Sequence, residues 1–232
     1  MKLPYFIRIL EKHEIILWLS SIVLLIIAFI FSGNFFNLIT SVIGVTALIY
    51  LAKGEPLGQI LSVVFSVVYA IVSYSFRYYG EMFTYLLMTL PSSAFATYIW
   101  AKNPYQKGNS QVKISQLKWR QGLTIVLLAP LVTLGFYFLL ESFDTPNLFI
   151  STISVTTSFV ASMLTFYRSR YYAVAYALND IILITLWTLA TLTNITYLPM
   201  VICFLIFLIN DSYAFINWKR MATKQNNHEL KQ

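Results

Sequence analysis

Two apolar stretches near the end of the chain each carry an Asn-Asp pair in their interior, and this limits the possible folds more than any other feature. Residues 173–187 contain Asn179-Asp180, and residues 201–213 contain Asn210-Asp211, with the short turn 191–197 between the two segments. With its flanks, each segment is long enough to cross a bilayer, which takes roughly 20 mostly apolar residues. A carboxylate at the centre of such a helix costs about 2.5–3.5 kcal/mol, so its presence points to a polar path or site inside the membrane. The plainer alternative is that these groups only hydrogen-bond neighbouring helices.

The rest of the chain has the same character. Apolar residues make up 58% and charged residues 11% of the 232 residues, against roughly a quarter charged in soluble domains. The expected fold is an all-α membrane protein of about eight spans, at 15–31, 35–52, 57–76, 79–100, 122–140, 147–167, 171–191 and 197–218. Pro91 and Pro130 fall inside spans, where they can kink a helix. With eight alternating spans, fifteen of the sixteen Lys and Arg residues fall on one face: Lys2, Arg8, Lys12, Lys53, Lys102, Lys107, Lys113, Lys118, Arg120, Arg168, Arg170, Lys219, Arg220, Lys224 and Lys231. Only Arg77 falls on the other. By the positive-inside rule both termini are cytoplasmic, in a multi-pass protein of the cell membrane. The net charge of +7 follows from these loops and needs no nucleic-acid partner.

The chain also repeats itself. Residues 37–46 and 147–156 share Asn37/Asn147, Leu38/Leu148, Ser41/Ser151, Ile43/Ile153, Val45/Val155 and Thr46/Thr156. Farther on, a shift of 118 pairs Tyr79 with Tyr197, Met82 with Met200 and Trp100 with Trp218. The expected organisation is an N-terminal segment and extra helix (1–34), a three-helix repeat (35–100), a basic loop and linker helix (101–145), a second three-helix repeat (146–221) and a tail (222–232). One linker helix gives the two repeats the same orientation, an arrangement known in transporters with a site near mid-membrane. The segment 101–121, with five basic and no acidic residues, is expected to be a solvated connector. The polar tail after Met221 is expected to be disordered.

Ionisable side chains inside the spans are Asp180, Asp211 and, nearer an outer end, Glu81. The 118-residue shift sets Ser62 opposite Asp180 and Ser93 opposite Asp211, so the second repeat carries carboxylates where the first carries hydroxyls. Such an asymmetric site suits a ligand with chemically different ends. Tyr69, Tyr85, Tyr176, Trp187 and Tyr213 add aromatic faces in the same spans, which favour flat and cationic rings. Asn217 completes the candidate set. The single cysteine, Cys203, is a packing residue, and neither a cofactor nor a metal site is indicated. His13 and His228 lie outside the spans, and the sequence carries no phosphate loop, zinc motif or nucleophile elbow. An intramembrane aspartyl protease is the weakest alternative, because both aspartates follow Asn instead of the expected Gly-x-Gly. A receptor or structural role is another.

Several motifs, in order, resemble those of the PnuC-type vitamin transporters, whose three-plus-one-plus-three core is similar to that of the SWEET sugar transporters. They are Tyr69, Tyr79-Gly-Glu-Met82, Leu90-Pro91, Trp100, Asn179 with Trp187, Leu198-Pro199, and Asn210 with Tyr213 and Trp218. The resemblance covers roughly residues 37–221. It implies facilitated uptake of a non-phosphorylated vitamin or nucleoside, nicotinamide riboside above all, with trapping by a cytoplasmic kinase and a possible homotrimer. Under that reading Asp180 or Asp211 meets the pyridinium charge, Asn179 and Asn210 the amide and hydroxyls, and Trp187 and Tyr213 the ring. Two departures stand out. Ser92-Ser93 replace Met-Gln after Pro91, and Ala96-Thr97 replace Gly-Trp, which leaves room for a deoxynucleoside, thiamine or riboflavin instead.

Overall fold

The computed structural model describes residues 9–33, 35–75, 77–106 and 108–229. The helices are α1 (Lys12–Ser32), α2 (Phe35–Ala52), α3 (Pro56–Ser75), α4 (79–102), α5 (Trp119–Ser142), α6 (Leu148–Phe166), α7 (Tyr172–Thr193) and α8 (Leu198–Glu229). Lys2, Arg8, Lys107, Lys231 and the expected span end Phe76 lie outside the described residues. Among those described, seven helices are long and apolar enough to cross a membrane. The eighth, α4, is divided into Tyr79–Thr84, a π-helical turn Tyr85–Thr89 and Leu90–Lys102. Pro91 explains the division, since it has no N–H to donate and its ring presses on the preceding turn. The backbone answers with a wider turn, in which the Leu90 N–H bonds the Tyr85 carbonyl.

Six helices form a closed ring. α2 packs on α3, α3 on α4, α4 on α6, α6 on α7, α7 on α8, and α8 back on α2. The order has two-fold pseudosymmetry, with α2, α3 and α4 matching α6, α7 and α8. Linker α5 packs on the outside of α6, and α1 lies against α2 and α8. Gly58 sets the α2–α3 crossing: a Cβ there would stand 2.5 Å from the Leu51 nitrogen and 3.0 Å from the Ala47 carbonyl oxygen.

Residues paired by the 118-residue shift meet across the ring. At one end Trp187 Nε1 donates to Tyr69 Oη at 3.2 Å. At the basic end the Trp100 and Trp218 rings lie 5.3 Å apart, and Tyr172 stands 4.6 Å from Trp218. Trp100 Nε1 donates to the Thr165 carbonyl at 3.3 Å, and Trp218 Nε1 to the Leu51 carbonyl at 2.9 Å, so each reaches into the other three-helix unit. All five rings are fully buried.

Helix α1 straps one seam between the units. Glu14, fully buried, pairs with Lys53 at the end of α2 (3.1 Å) and accepts a 2.5 Å hydrogen bond from Tyr213 Oη on α8. Glu11 reaches the same lysine at 3.5 Å.

Two expectations are corrected at the basic end. The tail is not disordered: α8 continues as helix to Glu229. Nor is the connector simply solvated. Its residues 103–106 and 108–118 form a strap across the end of the ring, with Val112 fully buried. The Val112 N–H bonds the Gly54 carbonyl (2.9 Å), and the Ser115 N–H bonds the Arg168 carbonyl (3.0 Å). Gln225 joins the two corrected segments, receiving the Ile114 N–H at 2.9 Å and donating to the Val112 carbonyl at 3.1 Å. Mutual satisfaction of buried polar groups orders both.

Two variants test this packing. Gly58→Ala should cost about 1–3 kcal/mol by overpacking and lower the melting temperature by several degrees; an unchanged melt would mean the crossing yields freely. Tyr69→Phe and Trp187→Phe should each cost about 1–3 kcal/mol, and the double variant distinctly less than their sum, since one bond is lost once. Additive losses would show that the bond contributes nothing.

Candidate functional site

Between the two aromatic closures lies a cavity of about 60 Å³ to which all six ring helices contribute. Helix α3 supplies Gln59, Ser62 and Phe65, three residues apart and therefore on one face. Helix α4 supplies Tyr85 and Thr89 from its π turn, and Ser93 just beyond Pro91. Helix α7 contributes Tyr176, Asn179 and Asp180, α8 contributes Phe207 and Asp211, and α6 contributes Thr165. On the α2 side the wall is Gly44, Ala47, Leu48 and Leu51. A Cβ at Gly44 would fall 2.4 Å from the Phe207 ring and 2.8 Å from Phe65, so only glycine lets both rings close over the cavity.

The four positions paired by the internal repeat, Ser62 with Asp180 and Ser93 with Asp211, all face this space. Each stands seven residues before one of the closing aromatics, Tyr69, Trp187, Trp100 and Trp218. Seven residues are two helical turns, about 10 Å, so the polar layer lies midway between the closures.

The Asp180 and Asp211 carboxyls stand next to one another across the α7–α8 contact. Two carboxyls placed side by side can hold one proton between them. Among the described residues, no Lys, Arg or His lines the cavity. Asn179 Oδ1 accepts hydrogen bonds from Thr157 Oγ1 (2.7 Å) and Ser158 Oγ (3.0 Å), which leaves the NH₂ side of its amide for the cavity. Two buried polar atoms on the cavity wall have no partner among the described residues, the donor Gln59 Nε2 and the acceptor Asp180 Oδ2. Phe65, Tyr69 and Tyr85 pack together, Phe65 stacked on Tyr69 at 5.4 Å and Tyr85 tilted against Tyr69 with centroids 4.3 Å apart.

Other sequence candidates do not line the cavity. Asn210 faces α1, donating to Ser21 Oγ at 3.4 Å. Tyr213 is bound to Glu14, and Asn217 donates to the Ala52 carbonyl at 2.8 Å. Glu81 is buried in the α4–α6 seam, where Ser154 Oγ donates to it at 2.9 Å. Tyr69 and Trp187 form the closure itself. Sequence reading missed Gln59, Thr89, Thr165, Phe65 and Phe207. The first two had a signal, because Gln59 lies one turn from Ser62 and Thr89 one turn from Ser93; Thr165 had none.

A family model described as nicotinamide mononucleotide transporter matches residues 34–220. The nicotinamide riboside transporter PnuC of Neisseria mucosa is 26% identical over 192 residues, covering 81% of this chain and 73% of the relative. The Haemophilus influenzae protein of the same name is 22% identical over 190 residues, covering 82% and 81%. A crystal structure of the vitamin B3 transporter PnuC superposes with a TM-score of 0.82 at 24% identity, over 93% of this chain and 94% of that one, which establishes a shared fold. With that fold, the repeat-related site at its centre and a family match over most of its length, the chain belongs to the nicotinamide mononucleotide transporter family.

Proposed function

We propose that the chain carries nicotinamide riboside inward across the cell membrane, down its gradient, by alternating access at the central cavity. The observation that carries this reading is the charge of the cavity wall: two carboxyls and no basic side chain. A carboxyl pair holding one proton bears one negative charge, the complement of one pyridinium ring. The same wall disfavours the mononucleotide, whose phosphate would be buried beside carboxyls with no cation to meet it. The printed names of the relatives favour the riboside in the same sense.

The roles shift from those expected on sequence. Asp180 and Asp211 meet the cationic ring, with Tyr85, Phe65 and Phe207 supplying aromatic faces in place of Trp187 and Tyr213. Gln59, Ser62, Ser93 and Asn179 are available to the amide and the ribose hydroxyls. Small-ligand sites usually enclose roughly 300–1,000 Å³, so a nucleoside enters only when the two three-helix units part. Opening Tyr69–Trp187 exposes one side and opening Trp100–Trp218 the other. The basic end faces the cytoplasm by the positive-inside rule. Phosphorylation by a cytoplasmic kinase would then hold the product inside, since the charged ester no longer fits. Assembly as a homotrimer belongs to the same proposal, and light scattering of the detergent-solubilised protein tests it.

Calorimetric titration of the purified protein decides the substrate. Nicotinamide riboside should bind saturably in the micromolar range and the mononucleotide should not. Asp180→Asn and Asp211→Asn should each weaken binding at least tenfold, about 1.4 kcal/mol. Equal affinity for the mononucleotide, or unchanged binding by both variants, would overturn the reading. Preference for a neutral deoxynucleoside would retain transport and remove the cation argument.

A further inference from the structure

A second cavity, about 330 Å³, lies at the basic end, outside the six-helix ring. Ser115 and Gln116 of the strap form one wall, Ser169, Arg170 and Tyr171 at the start of α7 a second, and Asn226 on the α8 extension a third. Its volume is that of a small-ligand site, and among the described residues no carboxylate lines it. Arg170 is held at the wall by its own neighbour: Nη2 donates to Tyr171 Oη at 2.8 Å, and the guanidinium lies 4.9 Å from the Tyr171 ring centroid.

The pseudosymmetry supplies a second, independent observation. The α2–α3 turn carries one cation, Lys53, and the protein answers it with Glu14 and Glu11. The matching α6–α7 turn carries two, Arg168 and Arg170, and among the described residues no ion pair joins either to a carboxylate. Arg168 is half-buried, and burial draws its guanidinium below the usual arginine range. Its backbone takes the left-handed conformation, φ 56°, that closes the end of α6, where the Ser169 N–H bonds the Leu164 carbonyl at 2.9 Å. Helix α7 begins at the cavity without a side-chain cap, so its positive end adds to the field.

We propose that this cavity binds a phosphate group, carried by a soluble phosphate ester or by an anionic lipid headgroup. Arg170 is the direct ligand, and Arg168 adds charge from the turn. The Ser115 and Ser169 hydroxyls and the Gln116 and Asn226 amides offer further donors. An occupant joins the strap to the start of α7 and the α8 extension, and so bears on how freely the basic end opens.

The test uses the full chain in nanodiscs, with thermal unfolding as the readout at constant ionic strength. In phosphatidylcholine discs, inorganic phosphate and glycerol 3-phosphate are titrated; saturable stabilisation identifies a soluble phosphate. Stabilisation by phosphatidylglycerol in place of phosphatidylcholine, with no added phosphate, identifies the lipid. In either arm Arg170→Ala should abolish the effect and Arg168→Ala should weaken apparent affinity about tenfold. Arg120→Ala, on the same face but outside the cavity, should leave it intact. No stabilisation in either arm overturns the proposal, as does an equal loss in Arg120→Ala, which would mean diffuse surface charge. Should the arginine variants fail to fold, the two wild-type arms still decide it.

Discussion

Burying one carboxyl in an apolar bundle is costly, and this chain buries two at the same depth and in contact, with no basic side chain on the wall. Much of the surrounding structure follows from making that arrangement tolerable. The two carboxyls adjoin, so one proton held between them would cancel half of the pair's charge. The cavity is small and closed at both ends, and its donors come from hydroxyls and amides whose other atoms are already bound, as with Asn179 between Thr157 and Ser158. What remains unsatisfied, Asp180 Oδ2 and Gln59 Nε2, lies on the wall that a substrate would touch.

The pseudo-two-fold arrangement gives the site its geometry and then departs from symmetry to give it chemistry. The closing aromatics lie two turns from the polar layer in every case, so the distance from centre to closure is the same in both units. The residues at the centre are not the same. Ser62 and Ser93 face Asp180 and Asp211, and the α2 wall is apolar where α6 bears hydroxyls. A symmetric frame thereby holds a site with two unlike sides, one for charge and one for shape.

Elements outside the ring restrain it unevenly. Helix α1 fastens the α2–α8 seam through Glu14, Lys53 and Tyr213, while the α4–α6 seam carries two hydrogen bonds, Ser154 to Glu81 and Trp100 to the Thr165 carbonyl, and among the described residues no ion pair. The π turn in α4 lies beside the α4–α6 seam and carries Tyr85 and Thr89 into the cavity.

Span number, repeat and polar layer were legible in the sequence, because each depends on one-dimensional regularities: apolar length against bilayer thickness, charge alternation between faces, and a constant shift of 118 residues. That shift alone brought Ser62, Ser93, Asp180 and Asp211 together. Adjacency along a helix did not settle direction. Asn210 and Asp211 are neighbours in sequence, yet successive helical residues diverge by about 100°, so one faces α1 and the other the cavity. Tyr213 looked like a ligand for a ring because nothing in the sequence shows that Glu14, 199 residues earlier, would occupy its hydroxyl. The tail and the strap looked unstructured for a similar reason, since each satisfies the other's buried polar groups only when folded. The sequence by itself determined which residues could carry charge inside the membrane. Only tertiary structure decided which of them meet, because hydrogen-bond partners and facing directions are set by helices far apart in the chain.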